Sequence, residues 1–212
     1  MSSEPEAIVP RPPRQRRSRE SLERVLQAGV ELLGETDYDG FTLGALSRRA
    51  NVSVGSIYAR FGSKEELFLA LQELIQSRLH DEQATAFAAI MPAEPGATVN
   101  AAVEVLAGAT RRHGAVLRVL MVRSAIDERT RASGSQAASG VAELFAACVL
   151  RHRDAIVHPD PELAVDVAYR MVFSTLARRV IFGPTFESKR RIGWDRFVAE
   201  QAALCRAYLL GE

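Results

Sequence analysis

Cysteine is scarce in this sequence: Cys148 and Cys205 are the only two among 212 residues. They have no motif spacing, and no apolar stretch of the kind found in secretory signals opens the chain. A reducing, cytoplasmic setting is therefore expected, with both thiols serving as small buried hydrophobes rather than as bridges or redox sensors. Aromatics make up only 7% of residues, with a single Trp, too few to build a cage for a planar drug. No apolar run approaches the roughly 18 residues needed to span a bilayer, and no membrane association is expected. Strand-like alternation with turn punctuation is absent, as is any internal repeat. The phosphate loop, G-x-S-x-G and H-E-x-x-H are all missing, so no catalytic constellation is in view. One cluster, His152-x-Asp154-x3-His158, resembles metal ligands, but its spacing fits no common site and Pro159 puts it in a loop. No metal, no cofactor and no enzymatic activity are expected.

A global basic field is also lacking. Formal net charge is +1, with ordinary proportions of hydrophobic (47%) and charged (25%) residues. What stands out is where the charge sits. Arg11, Arg14, Arg16, Arg17 and Arg19 form an N-terminal cluster with no acid between them. From Gly40 to Lys64 no acidic residue occurs, while Arg48, Arg49, Arg60 and Lys64 do. Positive charge is thus concentrated at the front of the chain.

Residues 1–17, with Pro10, Pro12 and Pro13, read as a disordered basic arm. It either follows DNA phosphates or the minor groove, or serves as a solubilising tail. From about Ser18 the apolar period becomes helical, with Leu22, Val25, Leu26, Val30 and Leu33 on one face. Thr42 is a candidate N-cap for a second helix, Asn51-Val52-Ser53 a turn, and Ser53 the cap of a third helix to about Phe61. Ser63 and Glu66 have capping-box spacing and open a fourth helix to about Leu79. Helical periodicity then recurs at 81–91, 98–113, 114–126, 128–152, 161–182 and 194–210. Val116–Val122 is ambiguous between helix and strand. Asp160-Pro161 gives an N-cap followed by proline at the first helical position.

Two short helices joined by a three-residue turn, carrying charge of one sign, can be a helix-turn-helix or a helical hairpin with a solvated basic face. In a helix-turn-helix, the second helix enters the major groove by its N-terminal residues. Those residues are Val54, Gly55 and Ser56, all small enough for close approach. Val54 is suited to a thymine methyl and Ser56 to a base edge or phosphate. Tyr58 and Arg60 lie further along, in reach of the backbone. Thr42, Ser53 and Lys64 mark helix N-termini, which favour phosphate.

The segment Phe41–Leu67 resembles the DNA-binding signature of the TetR family of bacterial transcriptional regulators. Thr42, Ala50, Val52, Ser53, Gly55, Tyr58, Phe61, Ser63, Lys64, Glu65 and Leu67 match that pattern identically, and Leu43, Leu46, Ser56 and Ile57 are close substitutions. The resemblance extends over about Ser18–Leu71. There are three departures. Asn51 replaces the usual turn glycine, and Asn tolerates positive φ. Gly44 stands where a longer polar reader is common. Arg60 replaces an aromatic or His and keeps affinity for phosphate.

The resemblance implies an all-α chain: a three-helix DNA-binding domain at 18–64, then a larger helical effector-binding and dimerisation domain at 65–212. It implies a ligand-responsive regulator, most often a repressor, that binds a palindromic double-stranded operator as a homodimer through its last two helices. Val165, Ala168, Tyr169, Val172, Phe173, Leu176, Phe197, Ala202, Leu204, Cys205 and Tyr208 are interface candidates, although intrachain core needs the same apolar face. Phe87, Met91, Leu106, Leu117, Met121, Phe145 and Met171 are candidates to line a pocket for a largely apolar small-molecule effector; residues of this kind at helical spacing also serve as core. The competing readings are a helical enzyme and an architectural DNA-binding protein without an effector.

Overall fold

The computed structural model describes residues 14–91 and 94–212. Within them the chain is all-helical: α1 (Arg14–Glu35), α2 (Leu43–Ala50), α3 (Val54–Phe61), α4 (Lys64–Ala88), α5 (Pro95–Ser124), α6 (Glu128–Val149), α7 (Pro161–Phe182) and α8 (Trp194–Leu210), with a 3-10 segment at Leu150–Ala155. Most of the expected arm, residues 1–13 and Arg11 among them, lies outside the described residues. Its last four residues, Arg14–Arg17, already belong to α1.

The caps follow local chemistry. The side chains of Thr42, Ser53, Ser63, Asp127 and Asp160 each accept from a backbone N–H three residues on, satisfying donors that a helix start leaves orphaned. Asn51 ends α2 at φ 51°, ψ 50°, so the turn keeps the left-handed geometry usually given to glycine. Gly29 has another use. A Cβ there would lie 2.7 Å from both methyls of Leu71, so any larger residue would force the buried Leu71 side chain to shift where α1 meets α4.

Two helices run longer than the periodicity suggests. α4 continues past Leu79 to Ala88 and absorbs the segment after Arg78. α5 runs unbroken through Gly114 and takes in Val116–Val122 as helix. A mid-helix glycine costs about 1 kcal/mol. The burial of Val116, Val119 and Leu120 against α1 and α4 offsets it.

Those three α5 residues matter for the architecture. They belong to the same core as Val25 and Leu33 of α1, Phe41, Leu46 of α2, Ile57 of α3, and Leu67, Phe68 and Leu71 of α4. The helix-turn-helix is therefore not packed on itself alone; the C-terminal half of α5 closes its core. A second core joins the start of α5 with α6, α7 and α8 around Val99, Val103, Phe145, Val165, Val172 and Leu209.

Candidate nucleic-acid interface and internal cavity

Every residue of α3 except Ile57 and the half-buried Phe61 is exposed. Ile57 anchors the helix in the core, and Val54, Gly55, Ser56, Tyr58 and Arg60 are left facing outward. Val54 and Tyr58 are exposed apolar side chains that the fold does not use. A Cβ on Gly55 would meet nothing within 4 Å, so close approach by another molecule is open there. Ser53 and Ser56 share a hydroxyl–hydroxyl bond of 2.8 Å while Ser53 also caps the helix, so Ser56 is held at the helix start. Thr42 is exposed at the head of α2. Arg60 donates to the Ser18 hydroxyl of α1, which holds its guanidinium at the end of α3 beside the basic start of α1.

Lys64 departs from expectation. Its ammonium donates to the Tyr38 carbonyl (2.8 Å) and lies 4.2 Å from the centre of the Tyr38 ring. The charge is spent on tying α4 to the loop after α1. Arg48 was not singled out by the motif. It is exposed on α2, and its guanidinium folds back within 3.7 Å of where a Gly44 Cβ would stand. The signal was present in the acid-free window, but spacing alone did not show that α2's missing side chain leaves room for its i+4 neighbour.

Tyr38 joins this unit to the helices behind it. Its ring lies between the ammonium of Lys64 and the guanidinium of Arg123, near the end of α5, whose Cζ is 4.1 Å from the ring centre. It meets Phe68 edge-on at 5.0 Å. Burial pushes its hydroxyl above the usual phenol range, against the pull of the Arg123 charge.

A cavity of about 340 Å³ opens between α4, α5, α6 and α7. Its α4 wall is a stripe at helical spacing: Gln72, Gln76, Leu79, His80 and Gln83. Three of the sequence candidates, Leu106, Leu117 and Met121, line it together with Leu120, Ala137, Val141, Tyr169 and Phe173. The other four sequence candidates lie elsewhere. Phe87 and Phe145 are buried in the second core away from the lining, while Met91 and Met171 are 75% and 45% exposed. Apolar type and spacing do not distinguish a helix's cavity face from its core face. Leu120 is shared: it lines the cavity and also belongs to the helix-turn-helix core.

Most interface candidates on α7 and α8 are intrachain core: Val165, Ala168, Tyr169, Val172, Leu176, Ala202 and Cys205 are all buried, with Phe197 and Tyr208 packed against that core. Phe173 and Leu204 are exposed, as are Leu163, Met171 and Phe182, which were not among the interface candidates. Among the described residues no group of three metal-ligating side chains comes together, and no helix is long and apolar enough to cross a membrane.

Comparison with known proteins matches residues 25–71 to the N-terminal domain of "Bacterial regulatory proteins, tetR family". HTH-type transcriptional regulators of Mycobacterium bovis and Mycobacterium tuberculosis, themselves uncharacterised, are 30% identical over 120 residues; the aligned stretch covers 55% of this chain and 60% of each relative. Among solved structures, a TetR-family regulator from Mesorhizobium loti superposes with a TM-score of 0.71 at 18% identity, covering 91% of this chain and 96% of the other. FadR of Bacillus subtilis, solved in complex with stearoyl-CoA, superposes with a TM-score of 0.60 at 18% identity, covering 90% and 99%. At such identities the structural likeness speaks for the fold: a helix-turn-helix domain followed by a helical C-terminal domain.

Proposed function

We propose that this chain is a member of the tetR family of bacterial regulatory proteins and a homodimeric DNA-binding transcriptional regulator, a repressor released from its operator by a small-molecule effector. In this reading residues 18–64 bind DNA, residues 65–212 bind effector and dimerise, and the N-terminal arm adds phosphate contacts. The setting is the bacterial cytoplasm. The observation that carries the reading is the shared wall. Leu120 lines the cavity and also packs in the core that sets the angle of α3.

Val54, Gly55 and Ser56 approach the bases; Tyr58, Arg60, Thr42 and Ser53 contact the backbone. The absence of a long basic side chain at the α3 N-terminus favours close apolar contacts, DNA shape and dimer spacing over an Arg–guanine pair. Two copies pair through the exposed faces of α7 and α8, which sets two α3 helices about 34–36 Å apart on a palindromic site. An effector that binds better when α4 and α5 hold the wrong spacing shifts the population away from DNA. The cavity is small and mostly apolar, with His80 and Arg131 the only basic lining residues among those described. That argues for a molecule smaller and less phosphorylated than the stearoyl-CoA bound by the Bacillus subtilis protein.

The test is selection of DNA by the full chain from a random pool, then titration of the selected site with and without effector. Operator and effector must weaken one another by the same factor. Simultaneous, uncoupled binding of both would defeat the proposal.

A further inference from the structure

Gln72 lines the cavity, is only 1% exposed, and is the one described residue with a buried side-chain polar atom lacking a partner. Its amide orientation is fixed by chemistry. Nε2 donates 2.9 Å to the carbonyl of Thr130, which can only accept, so Oε1 is the unpartnered atom. A buried acceptor left unmatched is costly, and because Gln72 lies in a cavity wall a small turn of its amide would let an occupant supply the donor.

Three hydroxyls of the wall agree. Thr110 donates to the Leu106 carbonyl, Ser124 to the Met121 carbonyl and Tyr169 to the Ala138 carbonyl, each at 2.8 Å. These hydroxyl protons are spent on the protein itself, and lone pairs remain. Arg131 is engaged by Glu128 and by the Ser124 carbonyl. Among the described residues no Asp or Glu lines the cavity, so a cation would find no counter-charge from them.

We infer that the cavity selects an uncharged, largely apolar molecule bearing a hydroxyl that donates to Oε1 of Gln72. The inference rests on the effector-binding reading above and names the chemistry of that same site. It also gives the ligand a point of action. The other end of Gln72 holds Thr130, in the first turn of α6, and other residues of α4 hold the first two turns with it: Glu66 pairs with Arg129, and Gln76 accepts from Ser133 at 2.8 Å. A donor on Oε1 polarises the amide and strengthens its bond to Thr130. The occupied cavity therefore clamps α4, the helix that leads directly out of the helix-turn-helix, to α6.

The test uses the full chain and matched probes at neutral pH: 4-propylphenol against its methyl ether, and cyclohexanol against its methyl ether, by calorimetric titration. The hydroxyl member of at least one pair is expected to bind roughly tenfold more tightly, the scale of one buried hydrogen bond. Gln72→Leu is expected to reduce that preference to about twofold or less, while Glu73→Leu, at the exposed neighbour on α4 outside the lining, keeps it. In ¹⁵N-labelled wild-type protein the hydroxyl probe is expected to move the Gln72 side-chain amide resonances and the ether to leave them, a readout that needs no variant to fold. Equal affinity within both pairs, no binding by any probe, or a preference that survives Gln72→Leu overturns the inference. The two readings fail separately. Hydroxyl-selective binding by a chain that binds no DNA removes the regulator and leaves the site; DNA binding without hydroxyl selectivity removes the site alone.

Discussion

Glu66, in the first turn of α4, grips Arg129 of α6 through both carboxylate oxygens, with Nη2 to Oε2 at 3.1 Å. Its spacing from Ser63 is that of a capping box, and Ser63 does accept from the Glu66 N–H. The carboxylate, however, turns away from the cap to another helix. The hydrogen bond from Arg129 holds the Glu66 carboxyl below its ordinary range. A group with a depressed folded pKa contributes above its unfolded value and loses that contribution as pH falls through the folded one. The clamp is therefore expected to be intact from neutral pH down to the ordinary carboxylate range and to release only below it. A carboxyl ¹³C titration of Glu66 in wild type and Arg129→Ala checks this. An unshifted midpoint in wild type would show that the pair does not persist in solution. Both side chains are well exposed, so Arg129→Ala should alter effector–operator coupling more than melting temperature.

Arg60 and Lys64 are expected to separate. Arg60 is exposed at the end of α3 and, among the described residues, is held by Ser18. Arg60→Ala should lower DNA affinity roughly tenfold and reduce the slope of log affinity against log salt by about 1, the signature of one lost phosphate contact. Lys64 is committed to Tyr38. Lys64→Ala should leave the salt slope nearly unchanged and cost about 1 kcal/mol of stability through the lost cation–π contact and hydrogen bond. Gel shifts across a salt series, paired with urea melts, check both.

Lys64 and Glu66 also show where the sequence ceases to be legible. Caps, the left-handed Asn51 turn, and the limits of α7 and α8 were readable because the chemistry that fixes them lies within a few residues. Ser63 could be assigned as a cap, since its partner is three positions away. The partners of Lys64 and Glu66 are 26 and 63 positions away and depend on how α4 packs, which no local pattern encodes. The same limit applied to the cavity. Leu117 and Phe145 look alike in sequence; one lines the void and the other fills a core. The periodic stretches 98–113 and 114–126 are one helix, because the burial that carries α5 through Gly114 is not visible locally.

Leu120→Ala and Leu117→Ala should differ in kind. Leu120 is almost fully buried, sharing the cavity wall with the helix-turn-helix core, whereas Leu117 is half-buried and lies outside that core. Leu120→Ala should cost about 2–5 kcal/mol and weaken effector and operator binding together. Leu117→Ala should cost less, about 1 kcal/mol, and change effector affinity alone. Denaturant melts with DNA and effector titrations on both variants would settle the contrast; equal loss of DNA binding in the two would mean that Leu120 is not a link.

Burial pushes the Cys205 thiol up to about 11, and Cys148 and Cys205 are both buried in the second core. Thiolate is the reactive form, so the folded chain should resist alkylation by iodoacetamide at pH 8 over hours and take up two equivalents once denatured. Fast labelling of native protein would contradict the packing of α8 against α5 and α7.

The exposed apolar side chains on α7 and α8 are expected to lie in the dimer interface. Leu204 is 53% exposed in the isolated chain, and Leu163, Met171 and Phe182 are exposed on α7. Leu204→Glu would place a charge where an apolar contact is needed, with little effect on the fold of one protomer because the side chain is outside the intrachain core. Sedimentation should show a dimer for the wild type and a monomer for the variant, both equally helical by circular dichroism. Once the two α3 helices are no longer joined, each half-site must be bound alone, and operator affinity should fall roughly a hundredfold or more. A variant that sediments as a dimer and binds operator normally would move the interface to another face of the molecule.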